Sequence, residues 1–204
     1  SVEYDMFYGV QEAANTLDML NATEFATLAN VRAVNDGDSP YFSGSEINSF
    51  GEGTNWQDEV LRTSPVQNHT VTVSGGNEKT TFSISGNYFN QEGIIANSYY
   101  NRYLTRANFN HDISDKWSVA LNSTLRNSTN NQLFSDNSSR GNGVLSGALV
   151  SPPTVTPYDE NGNYNSISDY PFSPDISENP MVMVHERKDL NTTNNAIVNM
   201  FVDG

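Results

Sequence analysis

The sequence predicts an all-β chain, a curved antiparallel up-and-down sheet of about six long strands with short helices in its long connections. Three features predict it. Six segments alternate apolar and polar residues with the strand period of two, those segments are long, and short and long links between them follow one another in a regular rhythm.

In the first segment, 1-11, Val2, Tyr4, Met6, Tyr8 and Val10 share one face, while Glu3, Asp5, Phe7, Gly9 and Gln11 share the other. The second and third, 66-74 and 79-90, flank "GGNEK" and read as a hairpin whose more apolar faces carry His69, Val71 and Val73, then Phe82, Ile84, Gly86 and Tyr88. The fourth, 99-111, sets Tyr103, Thr105, Ala107 and Phe109 opposite Arg102, Leu104, Arg106, Asn108 and Asn110. The fifth, 116-127, sets Trp117, Val119, Leu121, Ser123 and Leu125 opposite Ser118, Ala120, Asn122, Thr124 and Arg126. The sixth covers 194-204.

Segments two and three are joined by "GGNEK", and four and five by "DISDK". About 55 residues separate one from two, about eight separate three from four, and more than sixty separate five from six. In an up-and-down sheet every second link lies at the same end, so one end is trimmed and the other carries bulky loops. Together with strands of the ~9–11 residues that cross a bilayer at a tilt, this is the layout of an outer-membrane β-barrel with long extracellular loops. Trp117 beside a short turn, and Tyr88, Phe89, Tyr99, Tyr100 and Tyr103 around the 90-98 link, suit two interfacial girdles. The alternative is a soluble, secreted carbohydrate-binding or adhesive β-sandwich, which accounts for the alternation but not for the length or the rhythm.

The long links have local structure of their own. Asn21 with Glu24 forms a capping pattern before an apolar stripe of Phe25, Leu28 and Ala29, and Asn35-Asp36-Gly37 ends that helix. "TNWQDEVLR" reads as a further turn or two with Trp56, Val60 and Leu61 on one side, and a short helix around 142-150 stops at Pro152-Pro153. From 151 to 190 the chain is turn-rich.

Composition excludes several classes. Of 204 residues 36% are hydrophobic, mean hydropathy is -0.55, and asparagine occurs 28 times. Aromatics at 11% separate the chain from aromatic-poor disordered sequences. A net charge of -14, with 10 basic against 24 acidic residues, argues against nucleic acid as a partner, because phosphate neutralisation needs clustered cations. The absence of cysteine removes disulfide, thiolate and cysteine-zinc chemistry. No apolar run approaches the ~20 residues of a membrane helix.

Read together, "YGVQEAANTLDMLNATEFA", "TNWQDEVLRTSPVQNHTVTVSGGNEKTTFSISGNYFNQEGII", "NRYLTRANFNHDISDKW", "GALVSPPTVTPYDENGNY" and the Asn-Pro at 179-180 resemble the SusC/RagA family of TonB-dependent outer-membrane transporters of Bacteroidetes. The resemblance implies a barrel of about 22 strands closed by an N-terminal plug. It also implies import of glycans, oligosaccharides or peptides with a SusD-like surface lipoprotein, driven by the TonB complex through an N-terminal region that these residues lack. On this reading 1-204 is the N-terminal part of the barrel wall, without plug or remaining strands, its location is the outer membrane, and lipid is a direct partner.

No residue set suggests catalysis, so the expected protein is not an enzyme and needs no cofactor or metal. His69, His111 and His185 are isolated in sequence, and the Asp58-Glu59 and Asp159-Glu160 pairs read as turn or cap residues. "DENGN" at 159-163 and "NDGD" at 35-38 are oxygen-rich but read as Asx turns, since the ligand series of a calcium loop is incomplete. Tyr41, Phe42, Trp56, Tyr158, Tyr164, Tyr170 and Phe172 fall in the outer links, where rings can stack on sugars or pack on a protein partner. The alternative is that they pack the loops together. Glu3, Asp5, Arg102, Arg106 and Arg126 fall on the polar strand faces and are expected to face the lumen or a plug.

Overall fold

A computed structural model of the chain describes residues 1–133, 143–168, 170 and 178–204. Six strands form one sheet: β1 (Val2–Gln11), β2 (Ser64–Gly76), β3 (Thr80–Glu92), β4 (Tyr99–Asp112), β5 (Ser118–Asn131) and β6 (Leu190–Asp203). They lie in sequence order, each antiparallel to the next, with β1 and β6 at the open edges. The β2–β3 turn closes on Asn77, whose side-chain oxygen accepts the N–H groups of Lys79 and Thr80. Ser114 does the same for Lys116 and Trp117 between β4 and β5. Asparagine and serine set these turns because a short side chain can close the loop back on its own backbone.

The register carries the apolar alternation unbroken across all six strands. One row reads Val2, Val73, Ile84, Ala107, Ser123 and Val198, and the next reads Tyr4, Val71, Gly86, Thr105, Leu125 and Ala196. Among the described residues nothing forms a second layer on this face. Leu121 is 41% exposed, Val198 63% and Met200 71%. A β-sandwich would bury such a face, so the sandwich alternative does not describe this sheet.

The strands run further toward the long-loop end than alternation predicts. β5 extends to Asn131 instead of 127, and β6 begins at Leu190 instead of 194. Polar pairs hold the rungs where the expected segments end, with Asn127 donating to Asn194 and Asn90 to Asn101, and continue into the added ones, where Thr129 bonds Thr192. Such pairs hold strand pairing without any apolar period, so a hydropathy pattern stops short of them.

Among the described residues five helices occupy the two longest links: α1 (Ala22–Asp36), α2 (Gly44–Phe50), α3 (Trp56–Val60), α4 (Val144–Val150) and α5 (Pro180–His185). α1 starts at the predicted Asn21–Glu24 capping box and ends at Gly37 with φ 87°. Its buried stripe differs from the expected one: Ala22, Ala26, Ala29 and Ala33 face inward, whereas Leu28 is exposed. Small side chains let the helix start approach backbone closely, since Ala22 and Thr23 donate to the carbonyls of Glu52 and Gly51. α2 and α5 were not expected from hydropathy. Their signals are capping ones, Ser43 with Glu46 and Asn179 followed by Pro180.

Candidate functional site

Every large apolar side chain that is buried deeply and clustered lies in the links. Trp56 and Val60 from α3, Val144 and Ala148 from α4, and Met181, Met183 and Val184 from α5 pack with Leu133, Val155 and Ile167. The β1–β2 and β5–β6 links thus share one core above the sheet. Trp56 is 3% exposed and its indole N–H donates to the Pro152 carbonyl at 3.0 Å. Gly53, at φ 71°, lets Thr54 N–H reach the Pro153 carbonyl at 2.9 Å, and a Cβ on Gly53 would lie 2.3 Å from that same oxygen. Asn179 ties three backbone groups, donating to the carbonyls of Pro157 and Asn165 and accepting from Met181 N–H. The assembly is fixed to the strand ends as well, through Asn131 to Asn97 and Asp189, and Asn97 to Val184.

The expected aromatic residues take different places in this assembly. Trp56 belongs to the core. Tyr158 and Tyr164 face each other across an isolated bridge with ring centroids 5.4 Å apart, and the Tyr164 hydroxyl donates to Glu186. Partial burial pushes the Tyr158 hydroxyl above its ordinary pKa, with the nearby Glu59 charge adding to it. For Tyr164 desolvation is again the first cause, followed by Glu186. Tyr170 packs half-buried against the core. Tyr41 is half-buried on the α1–α2 side, where Asn30 clasps the Phe42 backbone by two hydrogen bonds and the Phe42 ring meets Phe50 edge-on at 5.3 Å. Phe172 lies outside the described residues.

Asp159 accepts the N–H groups of Asn161 and Asn163 at 2.8 Å each and the Asn163 amide at 3.0 Å, while Gly162 adopts φ 82°. This is an Asx turn, and its hydrogen bonds, the Asn163 side chain first, hold the carboxyl below its ordinary range. Among the described residues no group of three His, Cys, Asp or Glu is placed to hold a metal ion.

A cavity of about 630 Å³ opens between residues 16–21, the start of α1, the start of α3 and the end of α4. Two aromatic residues line it, Trp56 and the Phe25 of α1, and of the rings expected at a ligand or partner it takes in Trp56. The buried Gln57 forms one wall, pairing both ways with the backbone of Leu17 at 2.9 and 2.8 Å. No periodicity marks that clamp, because its partners are 40 residues apart.

The sheet's other face is polar. Glu3, Asp5, Arg102, Arg106 and Arg126 all lie on it, and the face bearing Phe82, Tyr88, Tyr103 and Leu121 is the opposite one. Asn87 donates to Asn68 at 2.7 Å and to Thr70 at 2.9 Å, Arg102 donates to Asn87 at 3.1 Å, and the Arg102 guanidinium lies 5.3 Å above the Phe89 ring. On the apolar face, at the level where polar rungs begin, His69, Tyr88 and Tyr103 form a row, which Tyr4 reaches from the neighbouring row. The Tyr4 hydroxyl bonds His69 at 2.8 Å, and the Tyr88 and Tyr103 rings are 5.1 Å apart. From Trp117 to the level of Tyr103, opposite Asn127, is about ten residues, or ~33 Å of strand and ~25 Å of depth at the ~40° tilt of membrane barrels. That matches the height of a barrel's apolar band between its aromatic girdles.

An open up-and-down sheet with one bare apolar face, one polar face and loops massed at one end defines a segment of outer-membrane β-barrel wall. The comparisons agree with that geometry. The chain is 32% identical over 194 residues to TonB-dependent receptor P3 of Formosa agariphila, covering 93% of this chain and 18% of that protein. It is 24% identical over 222 residues to the TonB-dependent receptor SusC of Bacteroides thetaiotaomicron, covering 100% of this chain and 21% of that one. Among solved structures, one of the RagAB peptide transporter superposes with a TM-score of 0.74 at 19% identity, covering 98% of this chain and 26% of the other. No protein-family model matches. Over nearly its whole length the chain is similar to TonB-dependent receptors, SusC among them, and it spans about a fifth of the length of the curated relatives it resembles.

Proposed function

We propose that these residues form part of the wall and outer loops of an outer-membrane TonB-dependent transporter that imports glycans, oligosaccharides or peptides. Its activity is binding and translocation, not bond-making. In this reading the apolar face meets lipid, Glu3, Asp5, Arg102, Arg106 and Arg126 line an aqueous passage or an internal plug, and a SusD-like lipoprotein seats on the outer loops. Tyr41, Phe42, Tyr158, Tyr164, Tyr170 and Phe172 supply rings there for sugar stacking or partner contact, and a ligand reaches Trp56 only through the cavity beside it. The TonB complex acts through a region outside these residues. The observation that carries the reading is the continuous exposed apolar face of six sequential strands, backed by a continuous polar one.

The cysteine-free sequence makes the test direct. Single cysteines placed at Ile84, Thr124 and Leu125 of the full-length receptor in liposomes are spin-labelled, and collision with oxygen and with a water-soluble nickel complex is measured. Labels at Ile84 and Leu125 are expected to favour oxygen and the label at Thr124 to favour nickel. Equal water accessibility at all three sites would remove the membrane reading.

A further inference from the structure

We propose that Arg102, Arg106 and Arg126 form a carboxylate-binding station on the polar face, selecting anionic cargo. The proposal rests on the transporter reading above and names the substrate chemistry that this stretch of wall favours.

The register brings the three together. Arg126 pairs directly with Leu104, and Arg102 and Arg106 lie two residues to either side of Leu104 on the same face. Arg126 is therefore the diagonal neighbour of both, with backbones ~7–8 Å apart, which long side chains span easily. Three of the ten basic residues thus meet on two adjacent strands of a chain with net charge -14. They are also without an ion-pair partner. Arg32, Arg62 and Arg187 have carboxylate partners in Asp36, Glu92 and Glu178, whereas none of the three on the wall has a carboxylate within 4 Å among the described residues. The acids on this face are Glu3 and Asp5 on β1 and, at the short-turn end of the sheet, Asp112 on β4 and Asp203 on β6; Asp112 is six residues along β4 from Arg106, ~20 Å at ~3.3 Å per residue. Glu3 is in the same row as Arg106 but three strands away, roughly 14 Å at ~4.8 Å per strand and too far for an ion pair.

Arg102 is held in place by Asn87 and Phe89, yet its Nε is shielded from solvent without a hydrogen-bond partner. Arg106 and Arg126 are exposed. One fixed and two free guanidiniums of like charge repel one another until an anion is shared between them. The planar fork of arginine matches a carboxylate in bidentate geometry, and charge-assisted bonds of this kind are the strong ones. The rows flanking the station are Ser85, Thr124, Asn87 and Ser128, neutral groups that hydrate a passing solute without adding competing charge.

Carboxylates reach such a wall from two sources, acidic peptides and uronic acid glycans. The test measures equilibrium binding to the full-length receptor in detergent for two matched pairs. One pair is acetyl-tetra-aspartate amide and acetyl-tetra-asparagine amide. The other is tetragalacturonate and its carboxyl-reduced tetrasaccharide. The charged member of at least one pair is expected to bind the native receptor more tightly than its neutral counterpart, and which pair responds identifies the source. Arg106→Gln with Arg126→Gln should weaken that charged member by roughly ten- to a hundredfold, the loss of one or two charge-assisted bonds, and leave its neutral counterpart unchanged. Arg106→Lys with Arg126→Lys should recover part of the loss. Equal weakening of charged and neutral probes would mean that the arginines hold an internal segment of the receptor, and would overturn the proposal. So would no change at all, or no preference for charge in the native receptor. The liposome labelling result stands apart from each of these outcomes, so the station can fail while the membrane reading holds.

Discussion

The sheet and the loop assembly solve the same physical problem in opposite ways. In the sheet, large apolar side chains such as Val2, Val198 and Met200 stay exposed, and no layer among the described residues covers them. In the loops, Trp56, Ile167, Met183 and Val184 are sealed in a core whose parts come from links on either side of four strands. The sheet holds itself by backbone ladders and takes its apolar solvent from outside. The loops face water and must bury their own apolar surface. Substitutions should therefore act in the two regions by different mechanisms.

The largest effect is expected in the loop core. Trp56→Ala removes a buried ring and the bond to Pro152, and should cost about 3–5 kcal/mol of loop stability. Hydrogen exchange in 143–168 and 178–188 should rise while the β-ladder amides remain protected. Loss of ladder protection at the same time would mean that sheet and loops form one cooperative unit. Next comes charge on the apolar face. Leu125→Arg should destabilise the full-length receptor in vesicles by about 2–4 kcal/mol in urea titration, whereas Thr124→Arg, one residue along on the polar face, should change little. Similar costs at both positions would erase the distinction between the faces.

A smaller change belongs to the α1 cap. Asn21→Ala leaves the Glu24 N–H without its side-chain acceptor and should cost about 0.5–2 kcal/mol, seen as faster exchange in the first turn of α1. Smallest is the Asp159 turn. Its carboxyl is held below the ordinary 3.8 by Asn163 and Asn161, so the turn's stabilisation is fully present above pH 3.8 and is lost as pH falls through the depressed folded value. Protection at Asn161 and Asn163, their exchange relative to the intrinsic rate at each pH, should fall over that acid range and not between pH 5 and 8. Loss of protection near neutrality would assign the effect to another group.

Much of the sheet was legible because its information is local. A strand bounded by two different solvents writes its faces into alternate residues, so Leu121 and Leu125 announced their side without knowledge of any neighbour. Where the surroundings became uniform, at Asn127 and beyond, the pattern faded although the strand continued. In α1 the capping residues gave both ends, but the stripe was misread. Hydropathy favours Leu28, whereas close approach to the backbone at 51–52 favours the alanines. For Trp56 the sequence leaves ligand stacking and loop packing both open, and only its burial and its bond to Pro152, 96 residues away, place it in the core.

By itself, then, the sequence determined the strand faces, the short turns at Asn77 and Ser114, and the helix caps, each of which is settled within a few residues by side-chain period or backbone bonding. Tertiary structure alone decided which link packs on which, the cavity beside Gln57, and the meeting of Arg102 and Arg106 with Arg126. Those depend on register between strands and on contacts across long loops, whose free energy belongs to the folded whole and leaves no periodic trace in the chain.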